Sequence, residues 1–169
     1  MAPVYELIGQ RGLRRGEACG LPDDAVDLDE GEISIEQQIT SVGYVPITKN
    51  VKTDAGVRQL PLADDTTGSL RGYKAQRARW RLKAGRKWVA SGLFFVRPDG
   101  TAWHPEQLSR MFYKLVRDAG LPPVRLHDLR HLAATMMLAA GATLKEIQDT
   151  SATPTTASPP TYTPPSSKN

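Results

Sequence analysis

The stretch LPPVRLHDLRHLAATMMLAAG, residues 121–141, carries both a helix signal and a chemical signal. It predicts a helix from about His127 to Ala140 that stops at Gly141, since glycine commonly follows the last helical turn. The predicted apolar face consists of Leu129, Leu132, Ala133, Met136 and Met137. His127 and Arg130 lie three residues apart and therefore share one side of this helix.

The pair of His127 and Arg130 suits phosphoryl chemistry. An imidazole handles protons near neutral pH, and a guanidinium binds two phosphate oxygens at once. A surface ion pair or a buried packing histidine produces the same His-x-x-Arg pattern, and we interpret His131 and His104 as packing or capping residues. The pair alone leaves a catalytic and a structural interpretation open.

Further helices are predicted on both sides of this stretch. Pro105 suits the first turn of a helix that stops at Gly120. Its predicted apolar face consists of Leu108, Met111, Phe112, Leu115 and Val116. Residues 5–20 predict two short helices that meet at Gly12, and Thr143 is expected to cap a last helix.

Extended segments lie between these helices. Ile33 to Ile35 and then Ile39 alternate with polar residues, and residues 57–62 form a second extended run after a turn at residues 52–56. A short apolar strand is predicted at residues 93–96. Together these segments predict an α+β fold that is mainly helical and has a small antiparallel sheet.

A basic stretch from Leu70 to Lys87 is predicted to be helical. Between Arg71 and Lys87 it contains eight basic residues and no acidic one, with Tyr73, Trp80 and Trp88 among or next to them. The basic residues are Arg71, Lys74, Arg77, Arg79, Arg81, Lys83, Arg86 and Lys87. They predict a surface that faces DNA phosphates, but a solvated helix face has the same composition.

The composition fits one cytoplasmic domain. The chain has 169 residues, of which 40% are hydrophobic, and its formal charge of +4 weakly favours a polyanionic partner. No apolar run approaches the roughly 20 residues of a membrane span, and the N-terminus lacks the pattern of a signal peptide. The single cysteine, Cys19, is expected to be a buried structural thiol, and three scattered histidines predict no metal site.

The composition changes abruptly at Thr150. Residues 150–169 consist mainly of Thr, Ser and Pro and have no aliphatic residue larger than alanine. Such a segment cannot bury enough apolar surface to offset the entropy of ordering. We therefore expect a folded domain at residues 1–149 and a disordered tail after it.

Three segments resemble the active-site boxes of the tyrosine recombinases, the phage integrase family. GLRRGEACGL at residues 12–21 resembles the first box, and VKTDAGVRQLPL at residues 51–62 resembles the catalytic hairpin. LPPVRLHDLRH at residues 121–131 resembles the second box. The segments follow one another in the family's order across residues 5–148.

This resemblance implies that a tyrosine attacks a DNA phosphate and forms a covalent phosphotyrosine, without a metal or nucleotide cofactor. Arg14 and Arg130 would stabilise the charge that builds up on the phosphate, and Glu17 would hold the first box together. Lys52 would donate a proton to the departing sugar oxygen, and His127 would manage the proton of the nucleophile.

Two parts of the family pattern are not found. We expect the family's N-terminal clamp domain to be missing, and the Leu-Gly-His box expected after residue 149 to be replaced by the tail. Tyr162 lies near the distance expected of the nucleophile, but Pro160 and Pro164 exclude the helix that would present it. Residues 150–154 can be encoded so that another reading frame spells Leu-Gly-His, so we expect a frameshift origin for the tail.

Three functional interpretations therefore stay open. The chain could be a recombinase catalytic domain that is inactive alone, a non-catalytic DNA-binding remnant of an integrase, or a structural or interaction domain. The expected partner is double-stranded DNA, together with self-association or association with an intact integrase on that DNA. No membrane partner is expected.

Overall fold

A computed structural model describes residues 2–42, 45–50 and 57–151 of the chain. The helices are α1 (Ala2–Arg11), α2 (Arg15–Gly20), α3 (Asp64–Ala84), α4 (Pro105–Asp118), α5 (Leu126–Ala139) and α6 (Leu144–Ser151). The strands are β1 (Val26–Asp27), β2 (Glu32–Ile35), β3 (Gln37–Val42), β4 (Val45–Asn50) and β5 (Arg58–Pro61). This order confirms the mainly helical α+β fold.

The strands form two small antiparallel sheets rather than one. Strand β2 pairs with β1 on one side and with β5 on the other, so that Ile35 lies opposite Arg58. Strand β3 instead forms a hairpin with β4, in which Gln37 lies opposite Asn50. The sequence did not predict β4, because its pattern Val-Pro-Ile-Thr-Lys-Asn contains a proline and all six residues are exposed. The turn predicted at residues 52–56 lies outside the described residues.

The apolar segment from Leu93 to Val96 is buried but is not a strand. All four side chains are at most 8% exposed, yet the segment makes only isolated bridges, Pro22 to Leu93 and Val96 to Ala102. The strand prediction was wrong because a short, continuous apolar run signals burial without specifying backbone pairing. Tyr73 on α3 anchors the segment, since its hydroxyl donates to the Val96 carbonyl at 3.0 Å and accepts from the Val96 amide at 2.9 Å.

Helix α3 begins at Asp64 rather than at Leu70 and continues into a 3₁₀ turn at Gly85–Lys87. The early start is explained by two threonines, Thr66 and Thr67, that are buried against the rest of the fold. The Thr66 hydroxyl donates to the Gln10 side chain on α1. The two helices are therefore packed together at the start of α3.

Helices α4 and α5 confirm their predicted extents but not every predicted core position. On α4, Leu108, Phe112 and Val116 are buried, whereas Leu115 is exposed. The Nδ1 atom of His104 accepts from the Glu106 amide at 3.2 Å, which confirms a capping role.

On α5, Leu132 and Met136 are exposed, and the buried residues are Leu126, Arg130 and Ala133. The periodicity located this helix but not the side that packs, because α5 is apolar on more than one side. The Thr143 hydroxyl accepts from the Glu146 amide and so caps α6, as expected. Helix α6 extends past Thr150, the predicted start of the tail.

None of the helices in the described part of the chain combines the length and the apolar character of a membrane span. The predicted burial of Cys19 is confirmed. Burial raises the pKa of its thiol to about 12.

Candidate active site

Two glycines fix α2 against the backbone of β3. A Cβ atom on Gly16 would lie 2.6 Å from the Ile39 carbonyl oxygen, and one on Gly20 would lie 2.8 Å from backbone atoms of Gln38. The side-chain amide of Gln37 donates to the Gly20 carbonyl at 2.8 Å. The hairpin and the helix therefore touch along their backbones, which holds the start of α2 beside β3.

The start of α2 carries Arg14 and is held by a buried carboxylate, Glu17. One oxygen of Glu17 accepts from the Arg14 amide at 2.8 Å, and the other accepts from the Arg14 guanidinium at 2.9 Å. Arg58, on β5, donates to the same two oxygens at 2.9 and 3.3 Å. Glu17 therefore links α2, which belongs to the first box, to β5, which belongs to the segment that resembles the catalytic hairpin.

The two arginines keep Glu17 ionised despite its burial. Burial alone would raise the pKa of Glu17, but the hydrogen bond and charge of Arg58, followed by those of Arg14, outweigh burial and lower this pKa. The carboxylate therefore stays negatively charged across the neutral range.

Arg130 is buried and lies near Arg14. Its Nη1 atom donates to the Gly12 carbonyl at 2.8 Å, which links α5 to the loop between α1 and α2. Burial, followed by the positive charge of Arg14, lowers the pKa of Arg130 to about 10, so the guanidinium remains charged at neutral pH. Three arginines, Arg14, Arg58 and Arg130, thus surround one carboxylate and leave an excess of positive charge.

His127 lies in the first turn of α5. Asp128 fixes this turn, because its carboxylate accepts from the Arg125 amide at 3.0 Å and from the Arg125 guanidinium at 3.2 Å. The ring of His131 meets the His127 ring edge-on, with 4.9 Å between centroids. Desolvation, followed by the charges of His131 and Arg130, lowers the pKa of His127, so its imidazole is mostly neutral at pH 7 and can accept a proton.

A cleft of about 690 Å³ brings these elements together. Its wall includes Arg14, Arg15, Tyr113, Arg125 and His127, and no acidic residue is part of the described lining. Helices α4 and α5 both begin at this cleft, so the positive ends of their dipoles lie there as well. The cleft is therefore suited to bind an anion.

Arg14 and His127 thus line one cleft, and Arg130 is buried close enough to Arg14 for the charge of Arg14 to lower its pKa. Lys52 and Tyr162 lie outside the described residues. The structure therefore brings together three of the five residues to which the sequence assigned catalytic roles.

The basic residues of α3 are placed elsewhere, and none of them is part of the described lining of this cleft. Arg77 was predicted to contact DNA, but it has a structural role in the fold. It binds both oxygens of Asp23 at 2.6 and 2.8 Å and donates to the Leu93 and Phe94 carbonyls. Arg71 donates to the Leu28 carbonyl and forms an exposed pair with Asp29. The other six basic residues of the set are exposed.

Sequence reasoning missed four residues of the site: Arg15, Arg58, Tyr113 and Arg125. The sequence contains a signal for Arg58, because Arg58 lies two residues before the buried Leu60 and therefore shares its face of β5. An arginine in such a position needs a buried partner. For Tyr113 the sequence offers no signal, because it only follows Phe112 on an amphipathic helix.

Comparisons with known proteins establish the family of the chain. The chain belongs to the phage integrase family, whose model matches residues 2–163. It is 26% identical over 158 residues to a tyrosine recombinase XerC-like protein of Caldanaerobacter subterraneus subsp. tengcongensis, a match that covers 86% of this chain and 40% of that protein. It is 32% identical over 104 residues to an integrase of Saccharopolyspora erythraea, which covers 62% of this chain and 23% of that protein. The chain therefore spans less than half the length of these relatives.

Several solved structures share the fold. The Tn1549 transposon integrase in complex with transposon right end DNA is similar with a TM-score of 0.74 and 23% identity, over 88% of this chain and 49% of that one. The XerA recombinase is similar with a TM-score of 0.69 and 21% identity, over 89% of this chain and 52% of that one. The predicted fold of a tyrosine recombinase catalytic domain is thereby confirmed.

Proposed function

We propose that this chain is a catalytic-type domain of site-specific DNA recombination that binds a phosphate of duplex DNA in the cleft at Arg14 and His127. The observation that carries this proposal is the cleft wall, which contains three arginines and a histidine and no acidic residue among the described residues. Arg130 adds a further positive charge near Arg14. Family membership indicates that the anion is a DNA phosphate.

The chemistry follows from charge. When a tyrosine oxygen attacks phosphorus, the oxygen–phosphorus bond forms while the bond to the sugar oxygen breaks, and negative charge grows on the nonbridging oxygens. Preorganised donors such as Arg14 and Arg130 stabilise that charge, typically by a hundredfold or more in rate for each donor. His127 would accept the tyrosine proton, and Lys52 would supply a proton to the sugar oxygen. The phosphotyrosine retains the bond energy, so rejoining needs no nucleotide.

We propose further that this chain is inactive alone. Tyr162 is the candidate nucleophile, but Pro160 and Pro164 flank it closely and are incompatible with a helix interior. A non-catalytic DNA-binding function is therefore the second candidate, in which the chain would associate with itself or with an intact integrase on DNA in the cytoplasm.

A structural or interaction role is favoured by a different observation. Arg14, Glu17 and Arg58 already bind one another, and Arg130 is bonded to Gly12. Detectable DNA binding that falls with salt distinguishes the first two candidates from this one, because ions compete with phosphate contacts.

Two assays test the proposal. Fluorescence anisotropy with a labelled duplex at two salt concentrations should show weak binding that falls steeply with salt, and Arg125→Gln should weaken it. A nicked suicide substrate should give no covalent adduct on a denaturing gel, and Tyr162→Phe should change nothing. Undetectable binding at low salt contradicts the DNA-binding function, and an adduct that disappears in Tyr162→Phe contradicts the inactivity.

A further inference from the structure

A second cleft, of about 300 Å³, lies between α3 and the segment from Trp88 to Val96. The end of α2 leads into it: the Leu21 carbonyl accepts from the Phe94 amide at 2.8 Å, and the Asp23 amide donates to the Gly92 carbonyl at 2.9 Å. The candidate active site lies at the opposite end of α2. Among the described residues, none lines both clefts.

The second cleft has unbalanced positive charge. Asp23 is the acidic residue of its described lining, and Arg77 already binds both of its oxygens. Lys74 and Arg81 also line the cleft and are exposed, and no Asp or Glu occurs between Asp65 and Asp99. The charge of Lys74 acts on Asp27, which is exposed and is not part of the described lining. The lining therefore has two positive charges that no carboxylate of the lining compensates.

Helix geometry explains why these two cations act together. Lys74, Arg77 and Arg81 are spaced by three and four residues, so they lie on one side of α3. Lys74 and Arg81 are about 10 Å apart along the helix axis. Each strand of duplex DNA carries a phosphate about every 3.4 Å along its axis, so this separation corresponds to about three phosphate steps along one strand.

Two further groups define the cleft. Ser91 is a lining residue whose hydroxyl is buried and has no hydrogen-bond partner in the described structure. The Trp88 ring packs against Gly100, where an added Cβ would lie 2.8 Å from it. The ring is thus held by the fold, which favours a phosphate backbone over an unstacked base as the occupant.

We propose that this second cleft binds backbone phosphates of duplex DNA away from the phosphate held at Arg14. The inference rests on the proposed DNA-binding function. In this proposal Lys74 and Arg81 make the DNA contact of α3. Arg79 and Lys83 lie on the other side of the helix and remain solvated.

The test compares two double variants that each remove one lysine and one arginine from α3. Lys74→Gln with Arg81→Gln should weaken duplex binding by roughly ten- to a hundredfold at about 0.1 M salt and reduce the slope of log affinity against log salt by about two. Lys83→Gln with Arg79→Gln should leave affinity and slope close to those of the unmodified chain. All four residues are exposed, and thermal unfolding should be unchanged.

The outcomes separate this inference from the proposed function. Equal losses of affinity in the two double variants would indicate that α3 attracts DNA only through its overall positive charge, and this would overturn the second site. No loss of affinity in either double variant would overturn it as well. If Arg125→Gln weakens binding and the Lys74 and Arg81 variant does not, the DNA-binding function stands and this inference fails. An unmodified chain that does not bind DNA contradicts both. Preference for a single strand that disappears in the Lys74 and Arg81 variant would overturn the duplex assignment.

Discussion

Replacing Glu17 by glutamine tests the buried network that supports the candidate active site. The substitution preserves shape and removes one charge, so the Arg58 guanidinium, whose side chain is only 6% exposed, loses its carboxylate. Breaking a buried ion pair on one side typically destabilises by 3–5 kcal/mol. The lower end, about 3 kcal/mol, applies because the glutamine oxygen still accepts one hydrogen bond. The Arg14 pair adds little, since that side chain is 40% exposed.

Urea unfolding at pH 7, followed by tryptophan fluorescence and circular dichroism, measures this change in the free energy of unfolding. For a domain of this size about 3 kcal/mol corresponds to a fall in Tm of about 6–12 °C. Glu106→Gln is the matched control, because Glu106 and Arg110 form an exposed pair at 3.7 Å. That change should alter stability by less than about 1 kcal/mol.

The pH dependence gives an independent check. The pKa of Glu17 is lower in the folded chain than its ordinary value of about 4.3. Its stabilising contribution is therefore complete above that ordinary value and is lost as the pH falls through the lower, folded one. The difference between the unmodified chain and Glu17→Gln should shrink at acid pH. A loss at pH 7 no larger than that of Glu106→Gln, or a difference that persists at low pH, would refute the reasoning.

Two other predictions concern packing. Gly20→Ala should destabilise the fold by about 1–3 kcal/mol, because the new Cβ meets the backbone of Gln38, whereas Gly9→Ala, which meets nothing within 4 Å, should be neutral or stabilising. Thermal unfolding decides this, and equal stabilities would show that α2 and β3 can separate freely. The Cys19 thiol should react with Ellman's reagent only after urea unfolding, because burial raises its pKa to about 12. Rapid labelling of the native chain would contradict its burial.

The helices were predictable because their signals are local. Pro105 and Gly120 bracket α4, and the apolar spacing between them is that of a packed helix. For α5 the same reasoning found the helix and placed Leu132 and Met136 in the core, where they are not. Which apolar side packs depends on neighbours that are distant in sequence.

The site was partly predictable for the same reason. The boxes located Arg14, His127 and Arg130, and Glu17 was expected to hold the first box. That Arg58 binds the same carboxylate depends on the pairing of β5 with β2, and this register is a tertiary property. The separation of α3 from the active-site cleft is likewise invisible in its composition, since charge does not reveal the direction in which a helix faces.

Helix α2 also matters for protein engineering, because all six of its positions are constrained. Arg15 reaches the Ser109 hydroxyl, Glu17 binds two arginines, and the other four residues are buried. Those four are Gly16, Ala18, Cys19 and Gly20. Such a segment has little freedom to drift in sequence, so variants selected for solubility or altered specificity should accumulate their changes elsewhere.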